Sequence, residues 1–137
     1  MAATYSSFMT TRYYSPVFNT ALFDGPLRIY FSQSYETSAL KVYHLLQSQY
    51  QEQWSQLKEC SAKSKEHVFL MIYPDKKDLE IAFSETAKLI HTQDWDEGIA
   101  IGFCQPQNDF ELTHQMDKIT RSIGSWIERI NNSEVSL

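Results

Sequence analysis

Glycine and proline are both scarce in this sequence. There are 4 of each among 137 residues, which leaves few positions for long irregular loops. A phosphate cradle built from backbone amides needs glycines at fixed spacing, and neither G-x-G-x-x-G nor G-x-x-x-x-G-K-[ST] is present. The scarcity argues against a nucleotide site of that kind and predicts regular elements joined by short turns.

Cysteine is scarcer still. Cys60 and Cys104 are the two cysteines; they form no C-x-x-C, and neither has a histidine at metal-ligand spacing. We therefore expect no disulfide framework, no metal site and no cofactor. No run approaches the ~20 apolar residues of a membrane span, and the first residues lack the basic start and apolar stretch of a secretory signal. These absences predict a cytoplasmic protein.

Basic residues are also in the minority. Lys and Arg number 12 against 17 Asp and Glu, which gives a net charge of −5. A nucleic-acid binder needs clustered cations to displace counterions from phosphates, and here the cations are scattered. We expect no nucleic-acid partner.

The sequence does contain a repeated pattern of short apolar runs followed by amphipathic segments. The runs are "LRIYFSQ" (27–33), "HVFLMIYP" (67–74) and "GIAIGFCQ" (98–105). After each run, apolar residues recur at three- and four-residue steps, the spacing of one helix face. This order, βαβαβα, predicts an α/β fold with a small, mainly parallel sheet of three to four strands and helices packed on it. The Asp24-Gly25 turn adds a possible antiparallel edge strand near residues 17–23.

One segment of the second unit fits two structures. Leu79, Ile81 and Phe83 alternate as in a strand, which would make the fold α+β, whereas the longer pattern that reaches Ile90 favours a helix over residues 79–84. A helix here would have Asp75 as its cap and Asp78 in its first turn.

Two other helices carry predicted start signals. Ser34 is placed to cap the first helix, and Asn108 with Glu111 resembles a capping box at the start of the last one. In the last helix, Ile119 and Ile123 are predicted on the buried face, from their spacing with neighbouring apolar residues.

The first 23 residues differ from the rest of the chain. They contain six aromatic residues and a single charge, Arg12, and an aromatic content of this kind is unusual for a disordered tail. We divide the chain into an arm (1–16), a single α/β domain (17–131) and a short tail (132–137). The arm is predicted to bind a partner or a second copy through Tyr5, Phe8, Tyr13 and Tyr14. Packing on its own domain, a transit peptide and simple disorder are the alternatives.

Ligand sites in open α/β sheets lie where strands end and helices begin. The corresponding loops here are "SQSYE", "PDKKD" and "QPQND", and their candidate ligand residues are Ser32, Ser34, Asp75 and Asn108. Cys104 precedes the third loop, where a helix N-terminus would lower the pKa of a thiol. Strand-end cysteines also serve as small buried residues, and His114, six positions along from Asn108, is a conceivable base.

Three functions remain open at this point. We favour a non-enzymatic interaction or regulatory module that binds another protein or itself through the arm. The alternative is a small thiol-dependent enzyme or sulfur carrier that uses Cys104, and a third interpretation is a small-ligand binder that uses the strand-end loops.

Overall fold

The computed structural model describes residues 4–6, 18, 20–83 and 89–135. In this part of the chain the strands are Thr4–Ser6 (β1), Thr20–Asp24 (β2), Leu27–Phe31 (β3), His67–Tyr73 (β4), Ile90–Trp95 (β5) and Gly98–Cys104 (β6). The helices are Glu36–Ser48 (α1), Gln51–Ser64 (α2), Lys76–Phe83 (α3) and Asp109–Val135 (α4).

The strands form one mixed sheet in the order β1-β2-β3-β4-β6-β5. Neighbours β3/β4 and β4/β6 are parallel, whereas β1/β2, β2/β3 and β5/β6 are antiparallel. Helices and a sheet are both present as predicted, and the general α/β and α+β classes both fit this mixed sheet, but the prediction of a mainly parallel sheet with three to four strands is wrong. The reason is that two strands that were not predicted, β1 and β5, each pair antiparallel with a neighbour. The short turn Trp95-Asp96-Glu97-Gly98 joins β5 to β6, and a short turn can only join antiparallel neighbours. The strand predicted near 17–23 is present as β2, although β1 and not β2 is the end strand.

The strand β5 was not predicted. Its sequence, "IHTQDW", has an exposed stretch at residues 92–94 and one fully buried side chain, His91. Such a strand lacks the apolar alternation by which strands are recognised. The predicted helix does not reach Ile90, which belongs to β5; residues 84–88 between α3 and β5 lie outside the described part of the chain. Residues 79–83 are helical as favoured, so the alternative of a strand at this position is wrong.

The first helical unit is two helices instead of one. The amides of Gln49 and Tyr50 both donate to the carbonyl of Leu45, at 2.9 and 3.1 Å, and Tyr50 leaves the helical conformation with φ −115° and ψ 39°. The apolar stripe runs through this break, because Trp54 and Leu57 of α2 are buried in the same core as Leu46 of α1. The periodicity alone therefore gave no sign of it.

Helices cover both faces of the sheet. Helices α1, α2 and α4 pack on one face, in a core that includes Ile29, Leu70 and Ile101. On the other face, Leu79 of α3 packs with Phe18, Met71 and other side chains. Ile119 and Ile123 are 0% and 1% exposed, so the predicted face of the last helix is confirmed.

Candidate functional site

A cavity of about 470 Å³ lies at the carboxyl ends of β4 and β6. These strands are parallel neighbours, so their ends meet at one edge of the sheet, where ligand sites of such folds are found. Helices α3 and α4 begin beside it. The lining residues whose roles we follow are Asp75, Leu79, Leu89, Cys104, Glu111 and Gln115.

The helix starts at this edge are held by their own side chains. Asp75 Oδ1 accepts from the amide of Asp78 at 3.0 Å, and Asn108 Oδ1 accepts from the amide of Glu111 at 2.8 Å. Glu111 Oε1 reaches back to the amide of Gln107 at 2.9 Å. The predicted roles of Asp75 and Asn108 as caps are confirmed; in the predicted box, Glu111 bonds one residue before Asn108. The amides of Asp78, Gln107 and Glu111 at these helix starts are therefore bonded to side chains of the protein.

Gln115 is buried against the strand end. Its side chain is 1% exposed, and its Nε2 donates to the carbonyl oxygen of Cys104 at 2.8 Å. Its Oε1 is buried and has no hydrogen-bond partner among the described residues. The bond to Cys104 fixes the amide at the cavity wall and leaves one acceptor unsatisfied. Sequence reasoning missed this residue, because a glutamine within a helix gives no signal of its burial.

Cys104 is half-buried and forms no disulfide. Burial first, and the carboxylates of Asp75 and Glu111 after it, raise the pKa of its thiol to about 11, and Lys76 lowers this pKa by less than either carboxylate raises it. The expected lowering by a helix N-terminus is therefore not found. His114 does not line the cavity; it is exposed, with its ring 5.5 Å from that of Phe110.

The loop after β3 forms contacts within the protein and does not line the cavity. Ser32, not the predicted Ser34, caps the turn that follows β3: its Oγ accepts from the amide of Ser34 at 3.4 Å and lies 3.0 Å from the hydroxyl of Ser34. Tyr35 Oη donates to the carbonyl of Ile72 at 2.8 Å, and burial raises the pKa of this phenol strongly. Of the four predicted ligand residues, Asp75 lines the cavity and Ser32, Ser34 and Asn108 do not.

The predicted partner-binding residues lie almost wholly outside the described part of the chain. Tyr5 belongs to β1, where its backbone pairs with Leu22 of β2. Phe8, Tyr13 and Tyr14 fall outside the described residues. Their role in binding stays a prediction.

A second, wider groove of about 870 Å³ runs between α2 and α4. At its wall, Gln53 Nε2 donates to the carbonyl of Thr120 at 2.7 Å, and Gln53 Oε1 is buried with no partner in the described ranges. The groove is lined by side chains of both charges, including Glu59, Lys63 and Arg121.

The described residues contain neither a cluster of metal ligands nor a membrane-spanning helix. No group of three or more His, Cys, Asp or Glu in residues 20–83 and 89–135 is placed to hold a metal ion. None of the helices in those ranges combines the length and apolar character needed to cross a bilayer. Comparisons with family models, with curated proteins and with solved structures gave no match for this chain.

Proposed function

We propose that this protein is a non-enzymatic interaction or regulatory module that works in the cytoplasm and binds another protein or a second copy of itself. The observation that carries this proposal is the environment of Cys104. It is the one cysteine that lines the strand-end cavity, and its thiol is kept protonated by burial and by nearby carboxylates.

A thiol nucleophile needs the opposite environment. Reactive cysteines lie beside cations or unoccupied helix N-termini, which lower the pKa and populate the thiolate. Here the amides of Asp78 and Glu111 are bonded to side chains of the chain itself, and His114 does not line the cavity. These contacts favour the interaction module over the thiol-dependent alternative.

The N-terminal arm remains the proposed contact surface. Its strand β1 is the end strand of the described sheet, and an end strand can extend its sheet by pairing with another chain. The sequence supplies rings at Tyr5, Phe8, Tyr13 and Tyr14, each of which can bury on the order of 150–250 Å² on docking.

Sedimentation tests the arm. A variant with these four aromatic residues replaced by Ser keeps the chain length and the backbone of β1 but removes the rings. We expect the wild-type mass to rise with concentration, or to rise when a partner is added, and the variant to stay monomeric. A matched control replaces the exposed Phe110, which is outside the arm, with Ser. Equal sedimentation and equal partner capture by the variant and the wild type would contradict the proposal.

A further inference from the structure

We propose that Arg28 and His67 form a pH-sensitive switch on the sheet: the imidazole holds the guanidinium near neutral pH and releases it when the imidazole takes up a proton. This inference goes beyond the proposed function and does not require the arm to bind a partner. It concerns the face of the sheet opposite helices α1, α2 and α4.

The two side chains come from neighbouring parallel strands. Arg28 lies in β3 and His67 is the first residue of β4. Alternate residues of a strand point to the same face, so both side chains lie on the face where Tyr30 and Phe69 pack. Both are half-buried, and partial burial reduces the competition of water for a contact between them.

The contact determines the protonation state of the imidazole. Arg28 Nη2 lies 3.1 Å from His67 Nε2, and a guanidinium has only N–H donors. His67 Nε2 must therefore accept the hydrogen bond, so the imidazole is neutral and its proton is on Nδ1. A second proton would bind at Nε2, which would turn the acceptor into a donor and place two cations side by side. Proton uptake and this hydrogen bond thus exclude each other.

No acidic group in the described chain offsets this effect. The other titratable groups on the elements around the imidazole are Tyr30 of β3, Glu66 just before β4, and Asp96 and Glu97 in the turn before β6. Burial first and the charge of Arg28 second lower the pKa of His67, and the other groups do not shift it. Glu97 contacts the histidine through its backbone, since its carbonyl accepts from the His67 amide at 2.8 Å. The folded state therefore favours the neutral imidazole.

The same guanidinium also contacts the next strand. Arg28 Cζ lies 4.6 Å from the centroid of the Phe23 ring, a distance at which a cation and an aromatic face attract each other. Phe23 belongs to β2, and its backbone pairs with Thr4 of β1. Because Arg28 contacts both His67 and Phe23, the loss of one contact changes the environment of β2 beside the end strand β1.

NMR of the histidine rings tests the contact directly. In isotope-labelled full-length protein near neutral pH, His67 should be the Nδ1–H tautomer, and its pKa should lie below the ordinary value of 6.5. The amide resonance of Phe23 should follow the same titration. Arg28→Met removes the donors and the charge, so it should raise the pKa of His67. Arg121→Met is the matched control, because Arg121 is an exposed arginine of α4, and it should leave that pKa unchanged.

His67→Gln tests the switch while keeping an acceptor for Arg28, because a glutamine carbonyl oxygen accepts hydrogen bonds and does not titrate. In the wild type the pKa of His67 is lower in the folded state than its unfolded value of 6.5. The contact therefore stabilises the fold fully above that pH, and this stability is lost as the pH falls through the folded-state pKa. Each pKa unit between the two states changes the folding equilibrium constant about tenfold. Denaturant melts from neutral to mildly acidic pH should show this loss in the wild type and a smaller loss in His67→Gln.

Three results would overturn the inference. An Nε2–H tautomer of His67 near neutral pH, or an unchanged pKa of His67 in folded Arg28→Met, would show that the guanidinium does not hold the imidazole. An equal loss of stability on acidification in the wild type and in His67→Gln would show that proton uptake at His67 does not act on the fold. If Arg28→Met does not fold, the tautomer and the His67→Gln comparison still decide.

Discussion

At the scale of single residues, two glutamines, the buried Gln115 and the half-buried Gln53, make the same kind of contact. Gln115 Nε2 bonds the carbonyl of Cys104 and Gln53 Nε2 bonds the carbonyl of Thr120. Each bond ties α4 to a neighbouring element, and each leaves a buried Oε1 without a partner in the described chain. A side-chain amide has both donors and an acceptor, so the bond that Nε2 makes to the backbone also fixes the position of Oε1.

The state of the Cys104 thiol leads to a prediction about alkylation. Its pKa is raised from 9.0 to about 11, and two pKa units reduce the thiolate population near pH 8 by roughly a hundredfold. Iodoacetamide should therefore modify Cys104 of the folded protein far more slowly than the same residue after denaturation. Mass spectrometry of peptides quenched over time measures both rates.

The control for alkylation is Cys60, which is buried in the core formed with α1, α2 and α4 and should be protected as well. Rapid modification of Cys104 at pH 7 in the native protein, with Cys60 still protected, would contradict the assigned environment and favour the thiol-dependent alternative.

Core packing leads to a second prediction at this scale. Ile123, on the buried face of α4, is 1% exposed, whereas Ile81 on α3 is 68% exposed. Ile123→Ala should lower the free energy of unfolding by roughly 2–5 kcal/mol, because it removes buried methyl groups and leaves a cavity. Ile81→Ala removes the same atoms from a solvent-exposed position and should alter the free energy of unfolding by less than ~0.5 kcal/mol. Denaturant melts measure both; similar losses in the two variants would mean that burial does not set the cost.

At the scale of elements, the turn between β5 and β6 depends on one glycine. Gly98 has φ +144°, which L side chains rarely adopt, and a Cβ built there would lie 1.8 Å from the carbonyl oxygen of His67 on β4. The same residue pairs with His67 in the parallel ladder. The hairpin can therefore sit beside β4 only if this position lacks a side chain.

Gly98→Ala should destabilise the protein by more than ~3 kcal/mol, since both the backbone strain and the clash with β4 must be relieved. Gly25→Ala is the matched control: Gly25 also has positive φ, +57°, but a Cβ there meets nothing within 4 Å, so the cost should be about 1–2 kcal/mol. Thermal melts of the two variants give the comparison. An equal loss in both would show that the close approach to His67 adds nothing.

The elements also show what sequence patterns could and could not predict. Strands β3, β4 and β6 were predicted because they are buried apolar runs, and the starts of α3 and α4 because Asp75 and Asn108 supply oxygens where helix amides need them. Strand β5 was missed because its outward side chains are polar. The strand-end loops were placed correctly, but Gln115 was missed, because only tertiary packing makes a helical glutamine part of a cavity.

At the scale of the whole molecule, burial and hydrogen bonding between strands decrease from the centre of the sheet to its edge. Strand β4 is bonded on both sides, to β3 and β6, and residues 68–73 are buried. Strand β5 is at the end of the described sheet and pairs with β6 alone, with residues 92–94 exposed. Burial and pairing of this kind determine the free energy at which a segment opens locally while the rest of the domain stays folded.

This gradient predicts an order of amide exchange. The amides of β4 have their bonds shielded by helices on both faces and should exchange only when the whole domain unfolds, with the global free energy. The amides of β5 that bond β6 should exchange through local opening, at a free energy lower by at least ~1 kcal/mol. Native-state hydrogen exchange read by NMR separates the two classes. Ile123→Ala provides the internal control, because it should lower the value for β4 by the same amount as the global stability while changing β5 less. Equal exchange free energies for β4 and β5 in the wild-type protein would show instead that the sheet opens as one unit and that its edge strand is as stable against local opening as its central strand.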